Sequence, residues 1–175
     1  MKKSASLMTL GVVLAACSGS AASDEELRAA ELIHSAKDKM VIKGLGTVDQ
    51  ETASPAKFSV TTPVAKGDFL TVTKLGKCKY ESYFDARMLG GPVFRVTVDL
   101  NGLSGDMSQA KRAPTGYRML KGAIVACELV RKPEDKSAIN NICEMMGPET
   151  VPVIGDSSEE ELSALSATFK ADFCP

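Results

Sequence analysis

Five cysteines and a single histidine are the residues of this 175-residue chain best equipped for chemistry. The histidine, His34, stands at helical spacing from Glu31 and Asp38, so the three could offer one nitrogen and two carboxylates to a metal ion. They fall opposite the apolar stripe of the helix they share, where a solvated polar face needs no further role, and no metal site is expected. A serine or cysteine nucleophile would need His34 as its base, and no Gly-x-Ser-x-Gly turn presents one. Cys143-Glu144-Met145-Met146 offers soft sulfur of the kind that binds Cu(I). Yet Met146 falls on an apolar helix face, and thioethers are common core fillers. Gly44-Leu45-Gly46 lacks the third glycine of a dinucleotide loop and reads as a turn. The acidic run Glu159-Glu160-Glu161 is what the dipole of a helix favours in its first turn. The sequence therefore points to no catalytic residue, no metal ligand and no cofactor.

The cysteines divide into one near the start, Cys17, and four spread through the rest, Cys78, Cys127, Cys143 and Cys174. No Cys-x-x-Cys pair exists, which removes the simplest thiol-exchange chemistry. An even set of four is what an oxidising compartment favours, because unpaired thiols are a liability there, and structural disulfides are expected.

Compartment is also written in the first residues. Lys2 and Lys3 give a basic start, and residues 5–16 are apolar apart from Ser6, Thr9 and Gly11. As a helix this stretch spans roughly 18 Å against about 30 Å of hydrocarbon, so it is a leader and not a membrane span. It ends in Leu14-Ala15-Ala16-Cys17, an aliphatic residue and two small ones before a cysteine. That motif resembles the lipobox of bacterial lipoproteins. The resemblance covers only the leader. It implies cleavage before Cys17, a diacylglyceryl group on the thiol and acylation of the freed amine. It further implies a membrane anchor in the periplasm, with Ser18 in place of the inner-membrane Asp signal favouring the outer membrane. The alternative is an ordinary secretory leader cut after Ser20-Ala21-Ala22. The organisation expected is a signal peptide at 1–16, a lipidated Cys17 with a flexible tether to residue 23, and one domain over 24–175.

The elements of that domain follow from periodicity. Ser23-Asp24-Glu25-Glu26 has the pattern of a capping box, opening a helix that runs to about Met40 with Ala29, Leu32, Ile33, Ala36 and Met40 on one face. Lys57 to Thr61, Phe69 to Lys74, Lys77 to Phe84 and Val93 to Leu100 read as strands, with a tight turn at Leu75-Gly76 and another at Asn101-Gly102. Residues 102–116 read as a long surface loop. Met119 to Val130 suits either a helix or a buried strand, and the strand extends the sheet. Further helices are expected over Lys136 to Met146 and after Ser157-Ser158, the last with the stripe Leu162, Leu165, Phe169 and Phe173. The fold class is α+β, a small antiparallel sheet covered by an N-terminal helix and C-terminal helices and stapled by two disulfides.

These elements select a pairing. From Cys127 to the turn at Lys132-Pro133 a strand covers roughly 13 Å, and eight helical residues back to Cys143 cover about 12 Å, which brings the two thiols level. In a simple meander the strand Val93 to Leu100 separates Cys78 from Cys127 by about 9.5 Å, beyond the roughly 7 Å that a bridge allows. Cys127 with Cys143 and Cys78 with Cys174 are therefore the pairs expected.

Composition narrows the partners. With no Trp and three Tyr the chain is poorly supplied with stacking platforms. Its net charge of −1 falls to about −3 once Lys2 and Lys3 leave with the leader, so the basic footprint of a nucleic-acid binder is missing. The expected function is non-enzymatic: binding of an envelope protein or small ligand, or envelope assembly, at the membrane that holds the anchor. The alternative is a small envelope hydrolase with a site gathered from scattered carboxylates. The leader yields the first testable outcome. Intact-mass analysis of the membrane fraction should find acyl mass on a chain beginning at Cys17, whereas a mature start at Ser23 would reject the anchor.

Overall fold

The computed structural model describes residues 20–44, 46–89, 91–103, 107–109, 118–121, 124–131, 143, 150–153 and 158–175. The leader, Cys17, Met145 and Met146 lie outside these residues, as does the expected helix from Lys136 to Met146 apart from Cys143.

Period-two alternation builds most of the fold. Strands β1 (Met40–Ile42), β2 (Gly46–Ala53), β3 (Ala56–Thr61), β4 (Lys66–Gly76), β5 (Lys79–Asp85) and β6 (Val93–Asp99) follow one another as antiparallel neighbours, and β9 (Ile124–Arg131) adds to β6 as the seventh strand. Strands β7 (Met107–Gln109), β8 (Arg118–Lys121) and β10 (Thr150–Val153) make a second sheet in the order β10-β8-β7. Two helices, α1 (Ser20–His34) and α2 (Glu159–Phe173), pack on the main sheet. The protein is thus α+β, an open antiparallel sheet with an N-terminal and a C-terminal helix.

The two faces of the sheet differ as the alternation demands. Val48, Phe58, Leu70, Tyr80, Phe94 and Val96 point inward and are buried. On the other face cross-strand charge pairs lie in water: Lys39 with Asp49, Lys66 with Glu51, and Arg95 with Glu81 and Glu128. Two irregularities in β4 alter that alternation. The register shifts between Phe58 and Ser59 of β3, so Phe69 and Leu70 are both buried, and Phe69 meets the Phe84 ring edge-on at 4.7 Å. A second shift, between Lys74 and Gly76, leaves Leu75 as an extra residue bulged out of the ladder.

Several elements differ from the sequence expectation. Helix α1 starts at Ser20, so Ser23 lies inside it and is not its first residue, and Glu26 reaches the backbone N–H of Lys74. It ends at His34, not Met40, because Ser35 adopts a left-handed φ of 52° and turns its N–H back to the Glu31 carbonyl. Met40 to Ile42 are then free to pair with β2. The hairpin turn falls at Lys77-Cys78 rather than Leu75-Gly76, with Cys78 at φ 57°. Residues 107–109, expected in a loop, form β7. Of the ambiguous stretch 119–130, the described residues are strands: 119–121 pair with β7 and β10, and Ile124 onward pairs with β6. At the other end, α2 opens with a complete capping box between Ser158 and Glu161.

Disulfides join Cys78 to Cys174 and Cys127 to Cys143, with Cα separations of 5.4 and 5.3 Å. The first ties the β4–β5 hairpin to the residue that follows α2. Helix α1 is tied to the same hairpin by polar bonds. Glu25, only 7% exposed, accepts from the Tyr80 hydroxyl at 2.6 Å and from Lys74 Nζ at 2.7 Å. Burial first, then the Glu25 carboxylate, holds the Tyr80 hydroxyl far above its ordinary pKa, so it remains a proton donor at every working pH. Removing that donor leaves a buried carboxylate short of a partner. Tyr80→Phe keeps the ring that meets Phe169 at 5.7 Å, and should still cost about 1–3 kcal/mol in urea unfolding. An unchanged midpoint would show that the ring alone carries the contact.

Candidate functional site

A groove among the described residues is formed between helix α1 and the strands beside it. Helix α1 presents Asp24, Leu27, Arg28 and Glu31 along one stripe, since positions three and four apart share a face. The reversal at Ser35 folds Ala36, Lys37 and Asp38 back beside that stripe, and Gln50 of β2 with Phe58 of β3 closes the floor. The groove holds about 330 Å³, at the small end of ligand pockets. Its floor is apolar through Leu27, Ala36 and Phe58, and its rim carries both signs of charge.

The rim is organised by two carboxylates. Glu31 accepts from Arg28 at 3.0 Å on one oxygen and pairs with Lys37 at 3.1 Å on the other. Asp38 accepts the backbone N–H of Gln50 at 2.8 Å, which fastens the returning loop to β2. Arg28 and Lys37 therefore share Glu31 as partner beside the apolar side chains, with Asp24 and Asp38 also in the lining. Such an arrangement can hold a ligand with both charged and apolar parts. No nucleophile with an adjacent base is present in it.

The metal set considered from sequence does not assemble. Glu31 and Asp38 are engaged as described, and His34 points elsewhere. Its ring lies against Phe84, with centroids 6.2 Å apart at an interplanar angle of 24°, and its Nε2 is shielded from solvent without a hydrogen-bond partner. His34 is thus not on a wet face. The helix shares its apolar side more widely than the stripe suggested, because Phe84 rises to meet the last turn. No group of three or more His, Cys, Asp or Glu side chains that could hold a metal ion occurs among the described residues.

Carboxylates gathered for hydrolysis have one candidate in the described residues, the buried neighbours Glu25 and Glu26. Glu25 is held by Tyr80 and Lys74, and one oxygen of Glu26 accepts from the Lys74 backbone at 2.5 Å. Neither lines the groove. Sequence reasoning missed the groove because the fold of the loop depends on a left-handed Ser35, which no residue type announces. The amphipathic stripe from Asp24 to Glu31 was the one visible signal. Of the other residues singled out, Gly44 takes a φ of 77° in the β1–β2 turn, and Glu159 to Glu161 occupy the first turn of α2.

No family model, no curated protein and no solved structure matches this chain. No helix among the described residues is long and apolar enough to cross a membrane.

The burial of His34 sets an acid response. Its position in the last turn of α1 favours a cation by about 0.3–1 kcal/mol, but desolvation outweighs this and lowers its pKa from 6.5 to about 4. The unfolded chain therefore takes a proton below pH 6.5 that the folded chain refuses until about pH 4. Stability is full above pH 6.5 and falls by up to about 3 kcal/mol as the pH drops through that window. Asp49, Glu51 and Glu161 are held below their ordinary values, the first two by lysine partners and the third by the Ser158 cap, so their contribution fades only in stronger acid. Urea midpoints measured from pH 7 to 4 should decline for the native chain and stay nearly level for His34→Leu. Parallel declines would mean that His34 does not govern this window.

Proposed function

We propose that this protein is a lipid-anchored envelope protein that binds a ligand without transforming it, through the groove between α1 and strands β2 and β3. The anchor is inferred from the leader motif ending at Cys17. Binding is inferred from one observation: a groove that sets Leu27, Ala36 and Phe58 beside two cations, Arg28 and Lys37, both paired with Glu31, with Asp24 and Asp38 also in its lining. An anionic group on the ligand would compete with Glu31 for those cations, and an apolar segment would cover Leu27, Ala36 and Phe58. A short peptide ending in a carboxylate, or an acidic small molecule of similar size, fits that description. The membrane would keep the protein at the place where such ligands are presented, and Cys17 would be its lipidated residue, in the outer membrane by the sorting rule that Ser18 implies.

The hydrolase reading has less support, because the buried carboxylates Glu25 and Glu26 are engaged in joining helix to sheet. Binding is tested in living cells with a photo-crosslinking amino acid at Gln50, in the groove, and at Thr71, on β4 away from it. A discrete adduct from Gln50, absent from Thr71 and lost when Arg28 and Lys37 are both changed to Glu, is the outcome expected. Adducts from both positions, or from neither, would refute a groove ligand.

A further inference from the structure

The β4–β5 hairpin and the start of α1 end at the same height, although far apart in sequence. Helix α1 runs along the strands. Its Glu25 bonds Lys74 and Tyr80, which face each other across β4 and β5, while its His34 lies on Phe84, which faces Leu70. Nine helical residues advance about 13 Å, and the four strand residues from Lys74 back to Leu70 cover roughly the same. The helix is therefore antiparallel to β4. The five residues before Glu25, Ser20 to Asp24, rise about 7 Å beyond the level of Lys74, toward the turn at Lys77-Cys78. Cys17 precedes Ser20 by three residues and cannot lie more than about 11 Å from it.

At that height the hairpin exposes an apolar side chain. Leu75 is the residue bulged from the ladder and is 52% exposed, between Lys74 and Lys77. This leucine, extruded at a strand end, stands outside the hydrophobic core and the residues packed against it. We propose that the β4–β5 hairpin is the pole of the protein that touches the membrane, with Leu75 seated at the lipid–water boundary of the bilayer that holds Cys17. This rests on the lipid anchor proposed above. The anchor supplies attachment, and Leu75 supplies orientation. The pole is braced for that task, because the Cys78–Cys174 bridge and the bonds from Glu25 and Glu26 fix it to both helices. Of the lysines there, Lys74 is paired with Glu25, Lys77 donates to the Pro175 carbonyl at 2.8 Å, and Lys79 faces Asp99 across the strands. The contact is thus apolar rather than electrostatic and should persist in high salt.

The chain lacks tryptophan, so a single introduced indole reports depth without background. The opposite end of β4 provides the control: Val64, in the β3–β4 turn, is 93% exposed, and the 11-residue strand separates the two ends by roughly 35 Å. Full-length Leu75→Trp and Val64→Trp proteins, extracted from membranes with their lipid, are placed in phosphatidylcholine vesicles with or without brominated acyl chains. The Leu75→Trp indole should shift to the blue and lose about half its emission to bromine, as expected for a side chain 5–10 Å into the boundary region, with no change in 1 M salt. The Val64→Trp indole should do neither. Vesicle flotation separates the two levels of inference. Protein that floats with an unquenched Leu75→Trp indole, or with equal quenching at both positions, overturns the hairpin contact and leaves the anchor standing. Quenching abolished by salt overturns the apolar contact. Protein that does not float overturns the anchor, and the hairpin proposal with it.

Discussion

A carboxylate beneath a helix is costly unless its oxygens are matched, and Glu25 has both of its oxygens matched by the sheet. That match fixes more than one side chain. Tyr80 can reach Glu25 only where β5 holds its hydroxyl under α1, and Lys74 only where β4 ends beside it. Sliding the helix by one turn would strand both the carboxylate and the phenol. The position of α1 along the sheet, and with it the burial of Leu32 and Ile33, depends on this one set of hydrogen bonds. Apolar packing alone would tolerate several settings of a helix on a flat apolar face.

The disulfide between Cys78 and Cys174 extends the same constraint to the second helix. Its span of 96 residues places the long closure among the most stabilising in the chain-entropy picture, about 4–5 kcal/mol. Locally it also holds Cys78 at a φ of 57°, a left-handed conformation that a side chain disfavours by roughly 1 kcal/mol or more. The turn at Lys77-Cys78 is therefore held by its covalent partner more than by its own residues. For the same reason the sequence pointed to Leu75-Gly76, the better turn chemistry. A glycine two residues early is a stronger local signal than a cysteine whose conformation is imposed from the other end of the chain.

What was legible in the sequence was what local physics decides. The alternation of Phe94, Val96 and Val98 with Arg95, Thr97 and Asp99 specified β6 almost to the residue, and Ser158 with Glu161 specified the start of α2. The order of β5, β6 and β9 leaves β6 between Cys78 and Cys127, as a meander requires. What was illegible depended on conformations that no residue type enforces. Ser35 and Lys39 take left-handed φ values of 52° and 59°, and between them they convert the end of an expected helix into a loop leading to β1. Strand β2 was unreadable because its polar residues, Asp49 and Glu51, are paired with Lys39 and Lys66 on the wet face. The placement of His34 is not legible in the apolar stripe, because Phe84 contacts the helix beyond it.

The groove runs along α1 from Asp24, near the hairpin pole, to Glu31, farther from it. Glu31, at the centre of the groove rim, is eleven residues past Ser20, or about 16 Å along the helix. Phe58, on its floor, pairs with Leu70, four residues from the Lys74 that meets the helix near its start. With the hairpin on a bilayer, the groove's near end would lie close to the boundary and its far end, at Glu31, about 10 Å higher. A ligand would then enter it from the aqueous side, through the end that carries Arg28, Glu31 and Lys37. Without such an anchor the groove would keep the Glu31–Lys37 pair and the Asp38–Gln50 bond, which lie wholly within the described residues. Attachment would therefore alter where the groove is presented and leave its affinity unchanged.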